Sequence, residues 1–543
     1  MIRRVLDTAG SVVHSGWVLA ERGLLGPYRP DQILGIGLAV RRYGLRPGAV
    51  AGVQRVLRPG GTAVVDGRDE LTFAAADERT STLAAALAER GITEGANVGL
   101  LCRNHRAFVE ATVALLKLGA NALYLNTSFA APQLAGVVER EGATALICDE
   151  EFLDLASGLD GKLARFVAWT DDPAATSAGG YETIDHLIDS GARPAPAPPS
   201  RPGRQVILTS GTTGSPKGAQ RAATNTLEPL VALLSKIPLR TGDTTLIAPP
   251  LFHAWGLAHL GLSLVLGSTI ILERRFDPEA TLRLIEAEGV TVLVAVPVML
   301  QRIMSLPQAT RDRYDTSSLR VVAVSGSALP GDLATRFMDA FGDVIYNLYG
   351  STEVAWASIA TPEDLRAAPG TAGRPPRGTI VRVVDDKGHE VEQGERGRIF
   401  VANTGQFEGY TGGGSKDVID GLMSTGDVGH FDEDGRLFVD GRDDDMIVSG
   451  GENVFPREVE DLLAEHPSVD DVAVIGVDDE QFGQRLKAFV VVGPEADQPG
   501  PEDLKAHVRS HLASYKVPKE IVFVDELPRN PTGKVLKREL KER

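Results

Sequence analysis

What most restricts the fold is a change of hydrophobic period that repeats along the chain from about residue 70. Residues 83–90 and 107–118 read as helices, and 97–101 and 120–125 as the strands that follow them. Residues 268–272 read as a further strand. Asp277 followed by Pro278 predicts an N-cap and first helical residue, with the helix reaching about Glu288. Residues 290–296 and 319–324 are continuously apolar, which suits strands covered on both faces. The alternation predicts right-handed βαβ units. The expected class is α/β: a large N-terminal domain of layered α/β subdomains with mixed, largely parallel sheets.

Two breaks divide the pattern. Pro194, Pro196, Pro198, Pro199 and Pro202 make residues 190–204 an extended connector. After Gly441-Arg442-Asp443-Asp444-Asp445 the order changes to a helix (456–464), strands near 472–477 and 488–492, and a helix (502–512). That is a small α+β module. The expected division is a basic amphipathic extension (1–57), a large domain (58–443) and a small mobile C-terminal domain (444–543).

Composition narrows the partners. A formal charge of −17 on 543 residues argues against nucleic acid as a partner. Cys102 and Cys148 stand far apart in the sequence without partnered histidines, so neither a disulfide framework nor a zinc site is expected. No run has the ~20 continuous apolar residues of a membrane span, and the N-terminus lacks a secretory pattern. A cytoplasmic location is expected. Charge is uneven, however: residues 1–60 hold nine arginines against Asp7, Glu21 and Asp31, a balance of +6 that leaves −23 for the remainder. Ile2, Val5, Leu6, Ala9, Val12, Val13 and Trp17 fall near helical spacing beside Arg3 and Arg4. That pattern fits either a cap on the protein's own acidic body or peripheral contact at the inner face of a membrane through residues 1–50.

The chemistry is concentrated in short loops. Thr209, Ser210, Gly211, Thr212, Thr213, Gly214, Lys217 and Gly218 follow the strand-like residues 205–208. Glycines let backbone N–H groups approach phosphate oxygens, hydroxyls add donors and lysine adds a charge, so the loop suits a polyphosphate. It is not the ordinary nucleotide P-loop, because Gly218 rather than Ser or Thr follows Lys217. Further along stand Tyr349-Gly350-Ser351-Thr352-Glu353, Ser424-Thr425-Gly426-Asp427, Gly441-Arg442, Ser449-Gly450-Gly451 and Pro528-Arg529-Asn530-Pro531-Thr532-Gly533-Lys534.

In this order and spacing the segments resemble the acyl-adenylate-forming superfamily of acyl-CoA synthetases, luciferases and peptide-synthetase adenylation domains, from about residue 55 to 543. Phe252-His253-Ala254-Trp255-Gly256 and the loop ending at Lys534 are most similar to bacterial medium/long-chain fatty acid–CoA ligases. The resemblance implies ATP-dependent activation of a fatty acid to acyl-AMP with release of pyrophosphate, then transfer to CoA, with ATP, Mg²⁺ and CoA required. Two alternatives stay open: an acyl-AMP ligase loading a carrier protein, and a CoA ligase for an aromatic or branched acid. A catalytically silent, membrane-associated acyl-binding protein is a reading from another class.

By the same resemblance, the Thr209–Lys217 loop holds the β and γ phosphates, and Glu353 with Thr212 holds Mg²⁺, a hard cation suited to oxygen ligands. Thr352 donates to the α-phosphate. Asp427 grips the ribose hydroxyls with support from Arg442. Gly326, Ser327, Ala328 and Asn347 face the adenine, within a nucleotide site that includes Tyr349, Gly350 and Ser351. Lys534 is the catalytic cation of adenylation and Asp444 the hinge. Gly450 and Gly451 pass the pantetheine arm. His253, Trp255 and Gly256 border the acyl pocket, with His253 also at the junction of the substrates. The Pro-x-x-x-x-Gly-Lys pattern is one that some family members present to lysine acetyltransferases, which would remove the charge of Lys534. A homodimer is left open.

Overall fold

The computed structural model describes residues 14–43, 47–191, 193, 196–209, 217–220, 227–411, 413–449, 452–479, 483–493, 497–531 and 533–542. The chain forms two compact units. The first comprises Met1–Ala295, Tyr314–Val322 and Thr404–Ser415; the second comprises Val296–Arg313, Ala323–Asn403 and Lys416–Arg543.

The first unit contains an eight-stranded sheet in the order Gly409–Tyr410, Lys217–Gln220, Gln205–Thr209, Asn121–Tyr124, Asn97–Leu101, Ala145–Asp149, Ala164–Trp169, Glu182–Thr183. From Gln205–Thr209 to Glu182–Thr183 every pairing is parallel; the two strands at the other edge pair antiparallel. Every residue of Ala145–Asp149 is buried, as a parallel strand covered on both faces requires. A second run of strands orders Val292–Ala295, Thr244–Ile247, Thr269–Leu272, Thr62–Val65 and Glu70–Thr72, parallel except for the last pair.

Local signals place the helices between these strands. Asp277 Oδ1 accepts from Ala280 N–H at 2.7 Å, Pro278 is the first helical residue and Gly289 ends the helix at φ +58°. Such a cap contributes about 1 kcal/mol. Helix Phe73–Glu89 begins earlier than its apolar spacing indicates, because Thr72 caps it through Ala75 N–H. Helix Arg106–Leu118 and strand Asn97–Leu101 fall where the period predicts them. The described part of residues 190–204 holds no helix or strand.

In the second unit, strand Ile345–Tyr349 pairs antiparallel with Ser358–Ala360. A five-stranded antiparallel sheet is built from Ile380–Val384, Gly397–Ala402, Leu422–Phe431 and Val418–Ile419, with Leu437–Arg442 on Leu422–Phe431. The C-terminal module is centred on the hairpin Val469–Asp479/Gly483–Val492, joined by Ile447–Ser449, Glu452–Val454 and the parallel Glu520–Phe523. Residues of alternate parity face opposite cores. Val474, Ala488 and Val490 pack with Val459 and Leu463 of Pro456–Ala464 and with Leu504 and Val508 of Pro501–His511. Ala473, Ile475 and Phe489 pack with Leu527 and Leu540 on the other face. No helix among the described residues is long and apolar enough to cross a membrane.

One sequence expectation is corrected. Cys102 is not without a histidine: Cys102, His105 and Asp149 gather in the first unit with ligand atoms within 4.8 Å of one another. The cause is parallel register, which places Cys148 opposite Leu101 and so brings Asp149 to the end of the neighbouring strand. Both cysteines are buried free thiols.

Candidate functional site

The antiparallel pairing of Leu422–Phe431 with Leu437–Arg442 sets Asp427 directly opposite Arg442. Their charged groups approach to 3.9 Å, with the two side chains 16% and 29% exposed. Tyr349, at the end of strand Ile345–Tyr349, donates its hydroxyl to Asp427 Oδ2 at 2.5 Å. Thr425 Oγ1 accepts from Asp427 N–H at 3.1 Å and donates to Ile399 O. Burial pushes the Asp427 carboxyl up, opposed by the Tyr349 hydrogen bond and the charges of Arg442 and Lys534. Tyr349 is pushed well above its ordinary value by burial and by the Asp427 charge beside it. The carboxylate is therefore oriented by a donor on one oxygen while its surroundings stay cationic.

Two residues earlier on the Tyr349 strand, Asn347 is buried with its Oδ1 lacking a hydrogen-bond partner. A buried acceptor of this kind costs about 1–3 kcal/mol unless a donor arrives. The acceptor is thus open to a donor from a bound molecule. Gly326, Ser327 and Ala328 follow the buried Ser325, with Gly326 and Ala328 exposed and Ser327 half-buried.

Beyond Tyr349 the chain folds back tightly. A Cβ on Gly350 would lie 2.2 Å from Ala355 O, so only glycine fits there. Ser351 Oγ accepts from the N–H groups of Glu353 and Val354 at 3.2 and 3.3 Å. Ala355 sits at φ +64°. Asn403 secures the turn by donating to Val354 O and Trp356 O. The half-buried Thr352 and Glu353 are thereby fixed at the exit of the strand.

Lys534 is exposed, and its charge lowers the Asp427 carboxyl across 107 residues of sequence. Its loop is closed by Lys534 N–H to Asn530 Oδ1 and Asn530 N–H to Lys534 O, both 2.9 Å. Gly533, at φ +79°, is so close to helix Pro297–Met304 that a Cβ would lie 2.3 Å from Val298 Cγ1. The same helix bonds the C-terminal hairpin: Gln301 donates to Asp470 O, and Ser305 Oγ donates to Asp470 Oδ1 at 3.1 Å. Arg529 pairs with Asp471 at 2.6 Å. Sequence reasoning missed Val298, Gln301, Ser305 and Asp470, none of which stands in a motif.

The other expected groups fall in different places. Thr209 ends strand Gln205–Thr209 and Lys217 begins strand Lys217–Gln220, the two residues being paired in register. Ser210, Gly211, Thr212, Thr213 and Gly214 lie outside the described residues, as do Gly450 and Gly451. Asp444 occupies the short turn Asp443–Asp445 that immediately follows Arg442.

In the first unit, His253 stands at the N-cap position of helix Ala254–Leu266 without a side-chain capping bond, packed 4.4 Å from the Phe252 ring, and its Nε2 has no partner. Burial lowers it to about 4, so it is neutral at ordinary pH. Trp255 donates to Ala295 O at 3.1 Å and meets His259 edge-on at 4.1 Å. Gly256 has a packing reason: a Cβ there would lie 2.5 Å from Pro250 O. Asn104, also missed, fixes the approach to His253 by donating to Pro249 O and accepting from Leu251 N–H.

Residues 54–411 match the model of the AMP-binding enzyme, and residues 458–534 match the AMP-binding enzyme C-terminal domain. A feruloyl-CoA synthase of Amycolatopsis sp. is 36% identical over 90% of this chain and 96% of its own. A 2-succinylbenzoate–CoA ligase of Bacillus licheniformis is 34% identical over 89% of this chain and 97% of its own. Among solved structures, the anthranilate CoA ligase AuaEII in complex with anthranoyl-AMP superposes with a TM-score of 0.83 at 28% identity, covering 92% of this chain and 97% of that one.

Proposed function

The chain belongs to the AMP-binding enzyme family, and from that premise we propose that the acid it activates is an aromatic carboxylic acid. It is an adenylate-forming acid–CoA ligase, with ATP, Mg²⁺ and CoA as its requirements. The observation carrying the aromatic reading is the similarity to feruloyl-CoA and 2-succinylbenzoate–CoA ligases over about nine-tenths of both chains. These relatives favour the aromatic alternative over the fatty-acid reading suggested by residues 252–256. The aromatic surroundings of Phe252, His253 and Trp255 also suit a flat ring, which loses less conformational freedom on binding than a flexible acyl chain.

In this reading the acid's carboxylate attacks the α-phosphate of ATP, breaking its bond to pyrophosphate. Both reactants are anionic, so alignment and charge neutralisation carry the catalysis. Asp427 accepts from the ribose hydroxyls, with Tyr349 holding its other oxygen lone pairs and Arg442 adding charge. Asn347 Oδ1 takes the adenine amino group, and Thr352 donates to the α-phosphate. Lys534 offsets the charge between carboxylate and phosphate. Glu353 and Thr212 would hold Mg²⁺, which when bound neutralises phosphate charge. The Thr209–Lys217 loop takes the pyrophosphate end, with Lys217 as an accessory charge. Residues 58–443 would form the large domain and 444–543 the small one, supported by the second family match at 458–534. Rotation at Asp444 would withdraw Lys534 and bring Gly450 and Gly451 to the thiol arm.

Pyrophosphate release, with and without CoA, should be measured with hydroxycinnamates, substituted benzoates and straight-chain acids from hexanoate to hexadecanoate. An aromatic acid should exceed every fatty acid in kcat/KM by at least about tenfold, a ratio within reach of pocket contacts alone. A fatty acid preferred by that margin would overturn the aromatic reading and leave the ligase assignment intact.

A further inference from the structure

We propose that the N-terminal helix Pro30–Tyr43 docks this protein on an anionic lipid surface. The helix has two unlike faces. Its inner face packs closely on helix Pro47–Leu57: a Cβ on Gly35 would lie 2.7 Å from Val56 Cγ1, and one on Gly52 would lie 3.6 Å from Ala39 Cβ. Its outer face carries Ile33, Leu34 and Leu38, which are 59%, 66% and 58% exposed. At 100° per residue these three fall within about 140° of the helix circumference, with Arg41 among them. Trp17 and Leu25, earlier in the same unit, are also exposed. Residues 17–38 thus hold five of the nine large exposed apolar side chains among the described residues.

Charge selects the occupant. The first 60 residues carry +6 while the rest of the chain carries −23. Arg41 and Arg42 stand in the last turn of the helix and Asp31 in the first, where Arg29 pairs with it at 2.9 Å. A second copy applied through this face would set one basic segment against another. An anionic bilayer instead attracts Arg41 and Arg42, admits the apolar side chains to its interface and repels the acidic body. The family match begins only at residue 54, so this surface lies outside the catalytic region it covers.

The test is flotation of the full-length protein with vesicles of phosphatidylcholine alone and of phosphatidylcholine with an equal part of phosphatidylglycerol. The protein should float with the anionic vesicles and far less with neutral ones. The variant Ile33→Gln/Leu34→Gln/Leu38→Gln should lose binding at least about tenfold, because each apolar chain contributes to interfacial burial. Arg41→Glu/Arg42→Glu should weaken it independently and more strongly at low salt. Both variants should keep the parent's melting temperature and its ligase rate on a water-soluble acid. No flotation of the parent, or equal flotation of parent and both variants, overturns the proposal. So does a dimer in size-exclusion chromatography that the triple variant dissociates without any vesicle binding, since a second copy would then be the occupant.

Discussion

Cys102, His105 and Asp149 in the first unit, and Tyr349, Asp427 and Arg442 in the second, are both clusters of reactive residue types at strand ends. Their atoms are used differently. His105 Nε2 bonds Asp149 Oδ1 at 2.8 Å, Arg103 N–H bonds Oδ2 at 3.0 Å and Arg274 stands 3.6 Å away. All three members of that cluster are completely buried, and burial holds the Cys102 thiol well above its usual range. Trp169 closes over it, 5.0 Å from the His105 ring and overlain by Arg68 at 3.4 Å. In the second unit Asp427 and Arg442 are partly exposed and only 3.9 Å apart, and the nearby Asn347 keeps an acceptor unused. Residue chemistry alone does not distinguish a site from a structural network. Access does: an unpartnered buried atom occurs in both, His105 Nδ1 in the first cluster and Asn347 Oδ1 beside the second.

The contrast breaks most readily at Lys534. Lys534→Ala should lower adenylate formation by about 10²–10³-fold, the scale of losing a preorganised charge in the transition state. Thioester formation from preformed acyl-adenylate should be nearly unchanged; single-turnover assays of each half-reaction decide this. The sealed cluster should respond in stability instead. Asp149→Asn should cost about 3 kcal/mol in urea unfolding, because it leaves buried partners without their charge, while the KM for ATP stays at the parent value. Tyr349→Phe should be milder: removing one hydrogen bond to a charged group should raise the KM for ATP about tenfold. An unchanged KM would remove Tyr349 from the nucleotide site.

The smallest effect is a pH slope. Burial lowers His253 and His259 to about 4. Between about 6.5 and 4 the unfolded chain therefore binds protons that the folded one refuses, and stability falls as pH falls. Above about 6.5 neither group contributes a slope. His259→Gln should flatten the stability profile between pH 7 and 5 in urea titrations; an unaltered slope would assign it to other groups.

Much of this was legible in the sequence because phosphate chemistry demands particular residues at short, fixed spacing. The Tyr349–Glu353 and Ser424–Asp427 motifs and the Asp277–Pro278 helix start are all local signals; the helix start is found where expected, whereas Ser424–Asp427 and Gly441–Arg442, expected in loops, lie within strands Leu422–Phe431 and Leu437–Arg442. What joins them is not local. The Tyr349–Asp427 bond spans 78 residues and the Gln301–Asp470 contact spans 169. The Cys102 cluster was missed for the same reason: His105 is three positions away, yet Asp149 arrives only through the register of parallel strands. Preference among acids was the least legible: Trp255, proposed to border the acid, is oriented by a bond to Ala295 forty residues away.

The decisive measurement is acid-dependent ATP–pyrophosphate exchange by Asp427→Asn and Asp149→Asn, compared at a temperature where both variants are folded. Exchange should fall by at least about 100-fold in Asp427→Asn if Asp427 grips the ribose as proposed, because a carboxylate accepting from two hydroxyls makes charge-assisted bonds that an amide cannot replace. In Asp149→Asn exchange should stay within about threefold of the parent, as expected for a residue whose contribution is to stability. Equal losses in the two variants, or the larger loss in Asp149→Asn, would contradict the proposed role of Asp427.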